Sequence, residues 1–141
     1  MRTLKHNLLL AMVLIVFISC SSDDDSGNEN DNPADIAELI LGSWTFSNST
    51  TNGVADPVDD PCEQLLSINF SANLNFTRFE RSGDNCQTTT QFTGTYSLNG
   101  NTLTVTTGQG TNIVEITNIS SSNVSFQHMD GSDVIVENFT K

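Results

Sequence analysis

The chain has 141 residues, a length that argues for one folded domain rather than several. Five basic side chains stand against 17 acidic ones, a formal net charge of −12. That balance excludes a phosphate-binding surface, because nucleic-acid affinity rests on Lys and Arg neutralising backbone charge, and the two isolated histidines announce no catalytic set.

Residues 1–19 read as an export signal. Arg2 and Lys5 make a short positive start, and residues 8–18 form an almost continuous apolar run that is too short to span a bilayer. Phe17-Ile18-Ser19-Cys20 resembles the lipobox of bacterial lipoproteins, with a small residue before the cysteine; the resemblance implies that Cys20 becomes the lipidated N-terminus. An ordinary signal peptide with a chance cysteine is the competing reading.

Residues 20–35 hold almost no large apolar side chain and cannot bury enough surface to offset their ordering entropy, so a flexible acidic tether is expected. Its opening, Ser21-Ser22-Asp23-Asp24-Asp25, resembles the serine-plus-acidic signal of Bacteroidetes-type lipoproteins, which implies display on the outer face of the outer membrane. A plain solvated linker is the simpler alternative. Loss of residues 1–19 leaves Arg78, Arg81 and Lys141 against all 17 acids, a formal −14. Anionic headgroups repel such a body, so the acyl chain is expected to be what holds it to the membrane.

The folded body then follows. Residues 33–41 form the only helix-like stretch, with Asn32 as a cap, Pro33 in the first turn and Ile36, Leu39 and Ile40 at helical spacing before Gly42. Beyond it the chain is rich in Thr, Ser, Asn, Val, Ile and Phe, alternating with a period of two. Strands are predicted over residues 43–50, 64–70, 74–80, 87–98, 102–107, 112–118, 123–128 and 133–139. Asn99-Gly100 and Asp130-Gly131 suit type I′ hairpins, and Gly94 inside a strand marks a bulge or sharp bend. The later connections are too short for parallel crossovers, so the sheet is antiparallel. The fold class expected is all-β: a short eight-stranded antiparallel up-and-down barrel preceded by one short helix, with a two-sheet β-sandwich as the alternative.

With Cys20 lipidated, Cys62 and Cys86 remain, an even number in an exported and oxidising setting. A disulfide is favoured over zinc, because two thiolates without a nearby histidine pair do not complete a tetrahedral set.

Gly42-Ser43-Trp44, after a short helix and at the start of the first strand, resembles the glycine-x-tryptophan signature of lipocalins. The stretch from Gly94 to Val105 is similar to the central hairpin of the lipocalin-like domains of Bacteroidetes-type lipoproteins. Members of that family tend to carry a cysteine pair flanking the second and third strands, where Cys62 and Cys86 stand. The resemblance covers about residues 36–141 and implies a lipocalin-like barrel. It also implies a long first loop, residues 51–63, able to act as a lid. Larger lipocalins set an arginine near the last strand against the tryptophan; here only Lys141 stands near that place.

Alternation places Trp44 and Phe46; Leu66, Ile68 and Phe70; Leu74 and Phe76; Phe92, Tyr96 and Leu98; Leu103 and Val105; Val114 and Ile116; Val124 and Phe126; and Val134 and Val136 inside. Trp44 is expected to plug the closed end. An eight-stranded barrel is just wide enough to be filled by side chains or to hold one small ligand, so a shallow apolar pocket at the open end is expected. Phe76, Phe92 and Phe126 are candidate contacts, though plain core is the simpler role for each. Tyr96 is a better candidate, because a buried phenol needs a hydrogen-bond partner. Arg78 and Glu80 continue the Phe76 face to one rim, where they pair with each other or orient a polar ligand group.

Catalytic sets fail. His128, in phase with Val124 and Phe126, has no partnered nucleophile and reads as a rim or surface residue. No cofactor is called for. Asp56, Asp59 and Asp60, set around Pro57 and Pro61, offer hard oxygen ligands, but their spacing matches no EF-hand and a solvated acidic loop is favoured over calcium. Two non-enzymatic functions remain in balance: a monomeric surface-tethered binder of a small apolar molecule, or a packed barrel whose loops contact an envelope protein. An interior void near 300 Å³ or more, roughly the lower bound for ligand pockets, favours the first.

Overall fold

The computed structural model describes residues 33–141. The signal-like segment, Cys20, Asn32 and most of the expected tether lie outside the described residues. The elements run in the order α1 (Pro33–Leu39), β1 (Gly42–Thr51), β2 (Val54–Ala55), β3 (Ser67–Phe70), β4 (Asn75–Ser82), β5 (Thr88–Asn99), β6 (Thr102–Thr107), β7 (Gly110–Ile119), β8 (Asn123–Asp130) and β9 (Asp133–Thr140). Single 3₁₀ turns cover Glu63–Leu65 and Asp84–Cys86.

Every pairing is antiparallel between neighbours in the barrel, and β9 returns to β1, so eight strands close on themselves and β2 is a short extra hairpin arm on β1. The sandwich alternative is thereby excluded: closure leaves the barrel strands no free long edge. One seam is incomplete. β3 pairs with β1 only over Gly42–Thr45, while β4 runs on to Ser82 with β5. Between the far half of β1 and the end of β4 the wall is filled by the connection through Glu63–Leu65, held where the Phe46 amide donates to the Leu66 carbonyl (2.9 Å). The Cys62–Cys86 disulfide ties this filler to the β4–β5 connection.

Helix α1 caps one end. Ile36 and Ile40 are essentially without solvent contact, as is Trp44, whose indole Nε1 donates to the Ile40 carbonyl at 2.7 Å. Lys141 completes the closure: its Nζ donates to the Leu39 carbonyl at 3.0 Å and lies 4.3 Å from the Trp44 ring centre, so a lysine makes the cation–ring contact made by arginine in larger lipocalins. Gly42 is required at this junction. Its φ of +111° is strained for any side chain, and a Cβ would press on Lys141 Cε at 3.3 Å. Above the cap a chain of aromatic rings crosses the barrel, from Tyr96 through Phe70, Phe126 and Phe139 to Phe46, with successive centroids 5.0 to 6.2 Å apart.

Several local expectations change. Leu74 does not open a strand inside the core; it sits in the β3–β4 turn at φ +63° and is 53% exposed. In β9 the inward face is Ile135, Glu137 and Phe139 rather than Val134 and Val136, because Phe126 pairs with Glu137 and Val124 with Phe139. Both faces of this strand carry apolar residues, so alternation alone selects neither. A register shift between Ile116 and Asn118 turns Ile119 into the core, 1% exposed. No bulge forms at Gly94: register is continuous on both sides, and the glycine permits a close backbone approach, since a Cβ there would lie 1.9 Å from the Thr106 carbonyl oxygen. The hairpin pairings end on Asn99–Thr102 and Asp130–Asp133, which makes the loops Gly100-Asn101 and Gly131-Ser132. Only the glycines have positive φ, the pattern of type II′ rather than I′ turns.

Candidate functional site

Opposite the helix-capped end the barrel holds a cavity of about 440 Å³. Its floor is the aromatic layer: Phe70, Phe76, Phe126 and Phe139, with Ile68, Leu103 and Val105 between them. Above the floor the walls turn polar, with Arg78 and Glu80 on β4, Asn112 on β7, His128 on β8 and Glu137 on β9. Ile113 and Met129 fringe the mouth, 65% and 59% exposed. This layering follows from strand length. Each strand carries apolar inward residues where the barrel is closed beneath it, and polar ones where its end reaches water.

Register fixes who faces whom. Arg78 lies between Ile68 on β3 and Phe92 on β5, and its guanidinium Nε donates to Glu80 Oε1 at 2.7 Å, the two side chains being 33% and 42% exposed. The pairing reading of these two rim charges therefore describes their geometry. Phe92 and Phe76 also line the cavity, as does Phe126, which faces Glu137 directly across the β8–β9 ladder. His128 lines it too, opposite Ile135.

Tyr96 stands elsewhere. Its hydroxyl donates to the Ser71 carbonyl at 3.0 Å, its ring packs edge-on to Phe70, and it is not part of the cavity lining. The partner a buried phenol requires is thus the β3–β4 turn. Burial raises its pKa above the ordinary 10.0, because the phenolate would lose its hydration.

The first connection does not cover the mouth: no side chain of residues 51–66 lines the cavity. Its acids serve the local chain instead. Ser49 Oγ donates to Asp56 Oδ2 at 2.7 Å, and the Cys62 amide donates to Asp60 Oδ1 at 2.8 Å. Among the described residues no group of three or more His, Cys, Asp or Glu side chains is placed to hold a metal ion.

On β9, Glu137 and Phe139 are the cavity residues that alternation missed. The signal that finds them is the β8–β9 hairpin: a two-residue loop at Gly131-Ser132 sets Phe126 opposite Glu137, and the phase of β8 then dictates that of β9.

A closed up-and-down β-barrel, plugged by a helix and tryptophan at one end and hollow at the other, defines a calyx-type protein. A family model described as the lipocalin-like domain matches residues 40–126, and the chain belongs to that family. Two crystal structures share the fold. A lipocalin-like protein from Bacteroides uniformis is 18% identical, with a TM-score of 0.57, over 72% of this chain and 97% of its own. An uncharacterized protein from Bacteroides eggerthii is 12% identical, with a TM-score of 0.55, over 72% of this chain and 98% of its own. No curated protein matches the chain.

Proposed function

We propose that this protein is a lipid-anchored outer-membrane lipoprotein, displayed at the cell surface, whose barrel binds a small, mainly apolar molecule. The observation that carries the binding reading is the cavity: about 440 Å³ with an aromatic and aliphatic floor, inside the range typical of ligand sites. Apolar side chains facing an open cup lack partner atoms on that side, so a fitting apolar ligand gains dispersion contacts that the empty barrel forgoes. The exposed Ile113 and Met129 at the mouth extend that surface outward. A packed barrel acting only through its loops on an envelope partner fits a hollow interior less well. The anchor rests on the lipobox-like Phe17-Ile18-Ser19-Cys20, and the surface address on the acidic stretch after it. The role is non-enzymatic and the working unit a monomer.

Titration with the neutral apolar dye N-phenylnaphthylamine tests the binding reading. Saturable fluorescence enhancement is expected, lost in a Val114→Phe variant that narrows the cavity while keeping the far-UV circular dichroism. Absence of saturable uptake by the wild type would overturn it. Metabolic labelling with a fatty acid, lost in Cys20→Ala, together with protease shaving of intact cells, tests the anchor and the address.

A further inference from the structure

The charges in the cavity are unequal in pairing. Among the described residues its one arginine, Arg78, already donates through Nε to Glu80 at 2.7 Å. A second carboxylate, Glu137, faces the cavity opposite Phe126, and among the described residues it has neither an ion-pair partner nor a hydrogen-bond donor. His128 is the other titratable side chain of the lining. A carboxylate beside an apolar, aromatic floor loses part of its hydration, and only a cation or a strong donor compensates. A ligand carboxylate would meet an arginine whose charge Glu80 already offsets, and would share the cavity with the Glu137 charge. A ligand ammonium meets Glu137 directly, and the rings of Phe126 and Phe139 next to it attract a cation further. The acidic excess of the whole chain, 17 against 5, favours cations over anions at long range.

We propose that the cavity selects amphiphiles whose polar end is a protonated amine, with Glu137 as the counter-charge and the aromatic floor receiving the apolar tail. This inference rests on the binding reading above and names its ligand class.

Decylamine, decanol and decanoate share one tail and differ in the head. Each is used to displace N-phenylnaphthylamine from the purified protein at neutral pH and fixed ionic strength. Decylamine is expected to displace the dye at a concentration about tenfold below that of decanol, in keeping with a charge-assisted contact, and decanoate least well. Glu137→Gln should bring the amine to parity with the alcohol. Glu115→Gln removes the same charge from an exposed outward position on β7, so it should keep the amine preference. Glu80→Gln, by freeing Arg78, should improve decanoate. Binding of the alcohol with no preference for the amine overturns this proposal and leaves the binding reading standing. An amine preference that survives Glu137→Gln also overturns it. Failure of the dye and all three amphiphiles to bind overturns both.

Discussion

Replacing Cys62 and Cys86 by serine tests how the incomplete seam of the barrel is held. The bridge spans a sequence separation of 24 and pins the filler between β1 and β4 to the β4–β5 connection. Freeing a loop of that length restores entropy to the unfolded chain worth about 3 kcal/mol at room temperature. For a domain of about this size each kcal/mol moves Tm by roughly 4–8 °C, so a fall of roughly 12–24 °C is expected. Trp44 is the chain's only tryptophan and lies in the capped end, so its fluorescence follows global unfolding. Wild type in reductant should melt with the double variant. Amide exchange should quicken first around Glu63–Leu65, while the β5–β9 ladders keep most of their protection. A Tm loss of only a few degrees would refute the chain-entropy reasoning, and uniform loss of protection would refute the role of the bridge as a local staple.

Three further outcomes are expected. Tyr96 is the only tyrosine, and its raised pKa means that stability is fully present below the ordinary phenol value of 10.0 and is lost as pH rises through it toward the folded-state value. Tyr96→Phe should flatten that alkaline limb in urea denaturation and cost about 1 kcal/mol at neutral pH through the lost bond to Ser71; an unchanged limb would refute the assignment. Gly94→Ala forces a Cβ to 1.9 Å from a β6 carbonyl oxygen and should lower stability by more than about 2 kcal/mol or prevent folding, read by thermal melting, whereas a neutral effect would refute the close approach as a constraint. Lys141→Met should cost about 1 kcal/mol and change the Trp44 emission without altering dye uptake, since the contact lies at the capped end.

Alternation and turn residues suffice for much of this barrel. Trp44, Phe46, Ile68, Phe70, Phe76, Leu103, Val105, Ile116, Val124 and Phe126 are core residues whose strands are mostly polar on the other face, so one register buries more apolar surface than the other. The helix, the Gly42–Trp44 junction and the cysteine pair are equally local, each stated by residue type at fixed spacing. β9 is different. Val134, Ile135 and Val136 supply apolar groups to both faces, and only pairing with β8 and β1 turns Glu137 and Phe139 inward. Ile119 enters the core through a bulge whose energy is set by strands on both sides. The role of Tyr96 was decided by a carbonyl 25 residues away, in a turn that nothing in its own strand predicts. What the sequence determined by itself is which surfaces must leave water, because hydrophobic periodicity is written along one strand at a time. What only the tertiary structure decided is how those surfaces share space: the closure of β9 on β1, the unfilled volume above the aromatic layer, and the turning of the Glu137 carboxylate toward it. Those depend on contacts between residues far apart in the chain, and no single-strand pattern encodes them.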